Sequence, residues 1–115
     1  MRSWFLAAIA LIALPVAAEA KPRPATCSIK SNGTSDYRGP CRFTPDEKGS
    51  FAIEPLRQRF FPGGISQISV WMISPGVAEV RGLTREGINS RWGEARRSRK
   101  YPACWTGDDF TICAR

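Results

Sequence analysis

The chain has 115 residues, 43% of them hydrophobic and 23% charged, with four cysteines, no histidine and a formal net charge of +7. That length holds one small domain, which buries only about two-thirds of the surface its unfolded chain exposes. The missing histidine excludes imidazole as general base, proton shuttle or metal ligand, so a zinc site would need the cysteines alone.

Met1-Arg2-Ser3 is a short positive start, Trp4 to Val16 an apolar run of thirteen residues broken only by Pro15, and Ala18-Glu19-Ala20 a small-x-small cleavage site. Together they predict a secretory signal peptide over residues 1–20. The run falls short of the ~20 residues that a membrane-crossing helix needs. Cleavage after Ala18 is a second choice, and Cys27 lies too far downstream for a lipoprotein signal. Loss of Arg2 and Glu19 leaves the charge of the mature chain at +7. An exported chain meets an oxidising compartment, where an even set of cysteines in a small domain forms a disulfide framework. The expected location is periplasmic or secreted, with no membrane span in the mature chain.

Residues 21–26, rich in proline and basic side chains, read as an extended N-terminal tail, and 27–115 as a single β-rich domain. Turn signals recur at close spacing: Asn32-Gly33, Lys48-Gly49, Pro62-Gly63-Gly64, Pro75-Gly76, Glu86-Gly87 and Gly107-Asp108-Asp109. That cadence predicts an all-β fold, a small disulfide-stabilised antiparallel sandwich or barrel built from hairpins. Ser50 to Glu54 alternates with Phe51 and Ile53 on one face. Ile65 to Ile73 is the candidate central strand, and Val77 to Leu83 its hairpin partner through Ser74-Pro75-Gly76.

Two requirements converge on one register at the C-terminus. If Cys104 and Cys113 face each other, the hairpin centres between Asp108 and Asp109, giving a two-residue loop or, slightly opened, a four-residue one. Trp105, Phe110 and Ile112 then share one face, with the threonines and cysteines on the other. The cysteine pair falls at a non-hydrogen-bonded position, whose close Cα approach suits a disulfide. Facing Cys27 to Cys41 centres a second hairpin on Thr34 and puts Ile29 and Tyr37 on the cysteine face, with Lys30, Arg38 and Arg42 opposite. Gly39-Pro40 implies an edge or a bulge there. Four cysteines permit three pairings; the register argument favours Cys27 with Cys41 and Cys104 with Cys113.

The stretch Asn89-Ser90-Arg91-Trp92-Gly93-Glu94-Ala95-Arg96-Arg97, followed by Ala103-Cys104-Trp105 and Ile112-Cys113-Ala114, resembles the C-terminal signature of a group of small exported bacterial proteins of unknown function. Gly39-Pro40-Cys41-Arg42-Phe43 and Gly49-Ser50-Phe51 match further elements of that group, so the likeness spans most of residues 27–114. The resemblance implies a Gram-negative periplasmic or secreted protein and attaches no activity. Some similar proteins carry histidines before the last cysteine pair; this chain has none.

The candidate binding residues are Arg91, Trp92, Arg96, Arg97, Arg99, Lys100 and Trp105, with Tyr101 beside them. Arginines next to aromatic rings can hold phosphate or carboxylate groups over a stacking floor, although such a run is also the mark of a solvated loop whose tryptophans belong to the core. Twelve arginines against four lysines in the mature chain favour the bidentate partner for oxyanions. Asp108-Asp109 and Asp46-Glu47 are adjacent carboxylates, but turn positions favour aspartate for backbone reasons. Paired cysteines without histidine leave no thiolate nucleophile with its base, and intervals of thirteen and eight residues do not supply zinc-ligand spacing. The expected function is that of an exported non-enzymatic domain, without metal or cofactor, that binds an anionic cell-envelope component or an exported protein partner, and no specific nucleic acid. The alternatives are a secreted inhibitor or toxin-like factor acting through Phe60-Phe61-Pro62-Gly63-Gly64, and a small carboxylate-dependent hydrolase.

Overall fold

A computed structural model describes residues 21–31 and 36–115. The signal-peptide segment 1–20 and the Asn32-Gly33 turn lie outside the described residues. Eight strands follow one another: β1 (Arg23–Ser31), β2 (Tyr37–Pro45), β3 (Phe51–Pro55), β4 (Ile65–Ser74), β5 (Val77–Thr84), β6 (Asn89–Arg97), β7 (Cys104–Thr106) and β8 (Phe110–Ala114). Each pairs antiparallel with the next, and β1 with β8, so the sheet closes into an up-and-down barrel. Closure gives every strand a neighbour on both sides and settles the choice between sandwich and barrel.

Period-2 alternation accounts for the interior. Ile29, Phe51, Ile53, Ile68, Val70, Ala78, Val80, Ala95 and Ile112 point inward and are buried, while the residues between them face outward. Two hairpins turn on two residues each, Pro75-Gly76 between Ser74 and Val77, and Asp108-Asp109 between Gly107 and Phe110. The last hairpin keeps the predicted register, with Cys104 opposite Cys113 at a Cα separation of 4.0 Å and Trp105, Phe110 and Ile112 buried.

The first hairpin corrects the predicted register. Cys27 faces Gly39 and Cys41 faces Ala25, so the Cys27–Cys41 bridge runs diagonally, at a Cα separation of 5.7 Å, inside the barrel. The hairpin centres one residue earlier than Thr34. Every residue keeps its face, because both residues of each pairing shift together by an even total. Strand β1 also takes in Arg23 to Thr26 of the expected tail, hydrogen-bonded along β2. Pro40 is tolerated in β2 for a local reason. Thr26, opposite it, turns its own N–H and C=O to Arg115, so Pro40 directs its backbone groups to the β3 side, beyond Pro55 where β3 ends. Its carbonyl accepts from the Tyr37 hydroxyl at 2.6 Å. At that point β2 is the edge that the sequence required.

Strand β6 was not foreseen as a strand. A bulge opposite Val80 and Arg81 makes Trp92 the extra residue, and Gly93 takes a φ of 118°. The bulge turns the Trp92 indole across the seam where β6 has no β7 partner, since β7 pairs only with Arg96 and Arg97. There it meets the Phe110 ring edge-on at 5.7 Å and lies flat on Gly82, where a Cβ would stand 2.7 Å from the indole nitrogen.

Candidate functional site

The meander gives the barrel two dissimilar ends. One carries the β3–β4, β5–β6 and β7–β8 connections around a mouth of about 310 Å³, lined by Tyr37, Phe61, Trp92 and Phe110. Phe61 is buried and packs edge-on against Tyr37 at 5.0 Å, and Phe60 lies under the Arg85 guanidinium at 4.6 Å. Phe61 of the apolar loop thus packs into the barrel, while Phe60 is half-buried beneath Arg85.

The opposite end is formed by the start of β1, the β2–β3, β4–β5 and β6–β7 connections and the C-terminus. It opens into a bowl of about 840 Å³. Phe51 and Trp105 make its floor, 9% and 4% exposed, with Phe43 stacked on Phe51 at 5.0 Å. Met72 and Ala103 line the wall, and Arg23, Lys48 and Arg97 stand around the opening. Arg23 lies over the Phe43 ring at 4.6 Å and Arg97 over the Trp105 ring at 5.8 Å. Arg97 Nε donates to the Pro102 carbonyl at 2.7 Å, which fixes the guanidinium above the indole. A short 3-10 turn, Glu47–Gly49, carries Lys48 in the left-handed region at φ 60° and ψ 26°. The Asp46 carboxylate caps that turn by accepting from Glu47 N–H at 2.7 Å.

The structure divides the sequence's basic cluster. At about 3.4 Å per residue, β6 carries Arg91 and Arg97 about 20 Å apart, to opposite ends. Arg91 pairs with Glu79 at 2.6 Å and Arg96 with Glu94 at 3.4 Å, both on the outer wall. Trp92 closes the seam and belongs to the small mouth. Arg97 and Trp105 line the bowl, Arg99 lies in a groove beside it that runs from Gly76 along Arg96 and Arg97, and Lys100 follows in the same β6–β7 connection. Among the described residues no carboxylate pairs with Arg23, Lys48, Arg97, Arg99 or Lys100; the ion pairs engage Arg42, Arg81, Arg91 and Arg96 instead.

Sequence reasoning missed Arg23, Phe43, Lys48 and Met72. Only the turn signal at Lys48-Gly49 hinted at any of them, since they come from four separate segments. The adjacent carboxylates do not converge: Asp46 and Glu47 sit at the bowl end, Asp108 and Asp109 in the β7–β8 turn at the other. All four cysteines are bridged, and no group of His, Cys, Asp and Glu side chains among the described residues could hold a metal ion. Among those residues, too, no helix is long and apolar enough to cross a membrane.

The fold and this bowl define a disulfide-stapled, eight-stranded antiparallel barrel with one basic, aromatic-floored end. No protein-family model, curated protein or solved structure matches the chain.

Proposed function

We propose that the protein is an exported, non-enzymatic binding domain that captures an anionic component of the cell envelope through the basic end of its barrel. One observation carries this reading: Arg23, Lys48, Arg97, Arg99 and Lys100 share that end and have no acidic partner among the described residues, whereas Arg42, Arg81, Arg91 and Arg96 on the outer wall are paired with glutamates. Unpaired cations at one end create a field that attracts polyanions over roughly a Debye length of about 8 Å at physiological ionic strength. The two disulfides fit an oxidising compartment and hence the periplasm or the exterior.

Retention on immobilised heparin, standing in for an acidic envelope glycan, tests the reading. The wild type is expected to elute at a salt concentration that drops when Arg97, Arg99 and Lys100 become Ser. The slope of log affinity against log salt should fall by on the order of one per charge removed. Arg81→Ser with Arg91→Ser, which removes two cations paired with Glu79 on the wall, should change it much less. Salt-independent elution, or equal losses from the two sets, would sink the proposal.

A further inference from the structure

We infer that the bowl at the basic end binds a single anionic amphiphile, a molecule with a carboxylate or phosphate head and an apolar tail. The inference rests on the reading of that end as an anion-binding surface and names what the anion carries with it. A surface that only neutralises a polyanion needs cations and no apolar floor. Here the cations ring a concavity whose floor is aromatic. Its volume of about 840 Å³ lies within the range of small-molecule sites, about 300–1,000 Å³.

The two halves of such a ligand find separate, complementary surfaces. Phe43, Phe51, Met72, Ala103 and Trp105 offer apolar area for a tail, and no Asp or Glu is among the described residues that line the bowl. The head meets Arg23, Lys48 and Arg97. Arg23 and Arg97 are held on ring faces, and Arg97 also through Nε, so their terminal N–H groups are already oriented before any anion arrives. Preorganised guanidinium groups lose little further freedom when they bind an oxyanion. Lys48 is the one non-glycine residue with a positive φ among those described, and that backbone conformation places its side chain at the opening.

A free molecule is the occupant rather than a bilayer face. The floor rings are 9% and 4% exposed, set behind the strand ends, where a tail can reach them and a flat surface cannot. Charge at the opening and apolar floor beneath it then require one ligand to satisfy both, since an unaccompanied anion leaves the floor wet and a neutral chain leaves the cations unused.

The full mature chain would be titrated with dodecanoate below its micelle concentration, followed by calorimetry and, in a Trp71→Phe variant, by the change in tryptophan emission to which Trp105 in the floor contributes. Saturation at one molecule per chain is expected, with dodecanol and acetate each at least about tenfold weaker. Arg23→Ser and Arg97→Ser should each weaken dodecanoate about tenfold. Ala103→Trp, which fills the bowl and keeps its cations, should abolish binding while melting cooperatively. Dodecanol binding as well as dodecanoate, Ala103→Trp binding normally, or binding only to phosphatidylglycerol vesicles would each overturn the inference. If dodecanoate fails while heparin retention stays salt-dependent, the amphiphile falls and the polyanion reading stands; if both fail, both fall.

Discussion

At the scale of single residues, two backbone positions show how much of this barrel depends on what a side chain must not be. Gly82 is buried under the Trp92 indole, and a methyl group there would sit 2.7–3.0 Å from three ring atoms. Gly82→Ala should destabilise by about 1–3 kcal/mol through overpacking, read as a lower urea midpoint. Trp92→Ala should cost about 2–3 kcal/mol by opening the seam between β6 and β7. Because both act through one contact, the double variant should lose clearly less than the two losses combined; additivity would mean that Trp92 does not rest on Gly82. Lys48 shows the opposite case. A non-glycine residue at φ 60° carries strain of about 1–2 kcal/mol. Lys48→Gly should therefore raise stability by about 1 kcal/mol while weakening dodecanoate binding, and a variant that gains stability with full affinity would show that the ammonium plays no part.

At the scale of elements, the two disulfides have similar loops and different surroundings. They close separations of 14 and 9 residues, so chain entropy assigns each about 2–3 kcal/mol. Cys27 and Cys41 are fully buried among the inward-facing core residues, whereas Cys113 is on the outer face and partly exposed. Replacing the first pair by alanine leaves a void in the core in addition to the freed loop. The expected loss is about 4–5 kcal/mol for Cys27→Ala with Cys41→Ala and about 2–3 kcal/mol for Cys104→Ala with Cys113→Ala, measured by urea denaturation. Equal losses would contradict the inside placement of the first bridge. Both pairings were legible in the sequence because a hairpin ties residues a few positions apart into a register that turn chemistry and face alternation constrain together. The diagonal offset of the first bridge was not, since Cys27 and Cys41 share a face whether they are opposite or two residues displaced. Strand β6 was also hidden. Its bulge shifts the alternation at Trp92, and six charged or small polar side chains among its nine residues read as a solvated loop.

At the scale of the whole molecule, the excess positive charge gathers at one end. On the wall, three glutamates on β3, β5 and β6 pair with four arginines and offset most of their charge. At the small-mouth end, Asp36, Glu86, Asp108 and Asp109 balance much of the local basic charge, while at the bowl Asp46 and Glu47 face a larger set of cations. A barrel polarised in this way should approach an anionic surface with the bowl leading. The heparin and dodecanoate experiments probe that same end through its field and through its cavity.

The amino-acid sequence by itself pointed to the all-β class and to three of the hairpins, and favoured the two disulfide pairings and the C-terminal register that the structure shows. These depend on local chemistry: side-chain period, turn residues, and covalent links between positions at most 14 apart. Tertiary structure alone decided that the sheet closes, that Arg91 and Arg96 are neutralised while Arg97 is not, and that Arg23, Lys48 and Arg97 meet around one aromatic floor. Closure brings strand ends from the whole chain to a common mouth, and the alternation that tells inside from outside along one strand carries no information about which strand ends will share it.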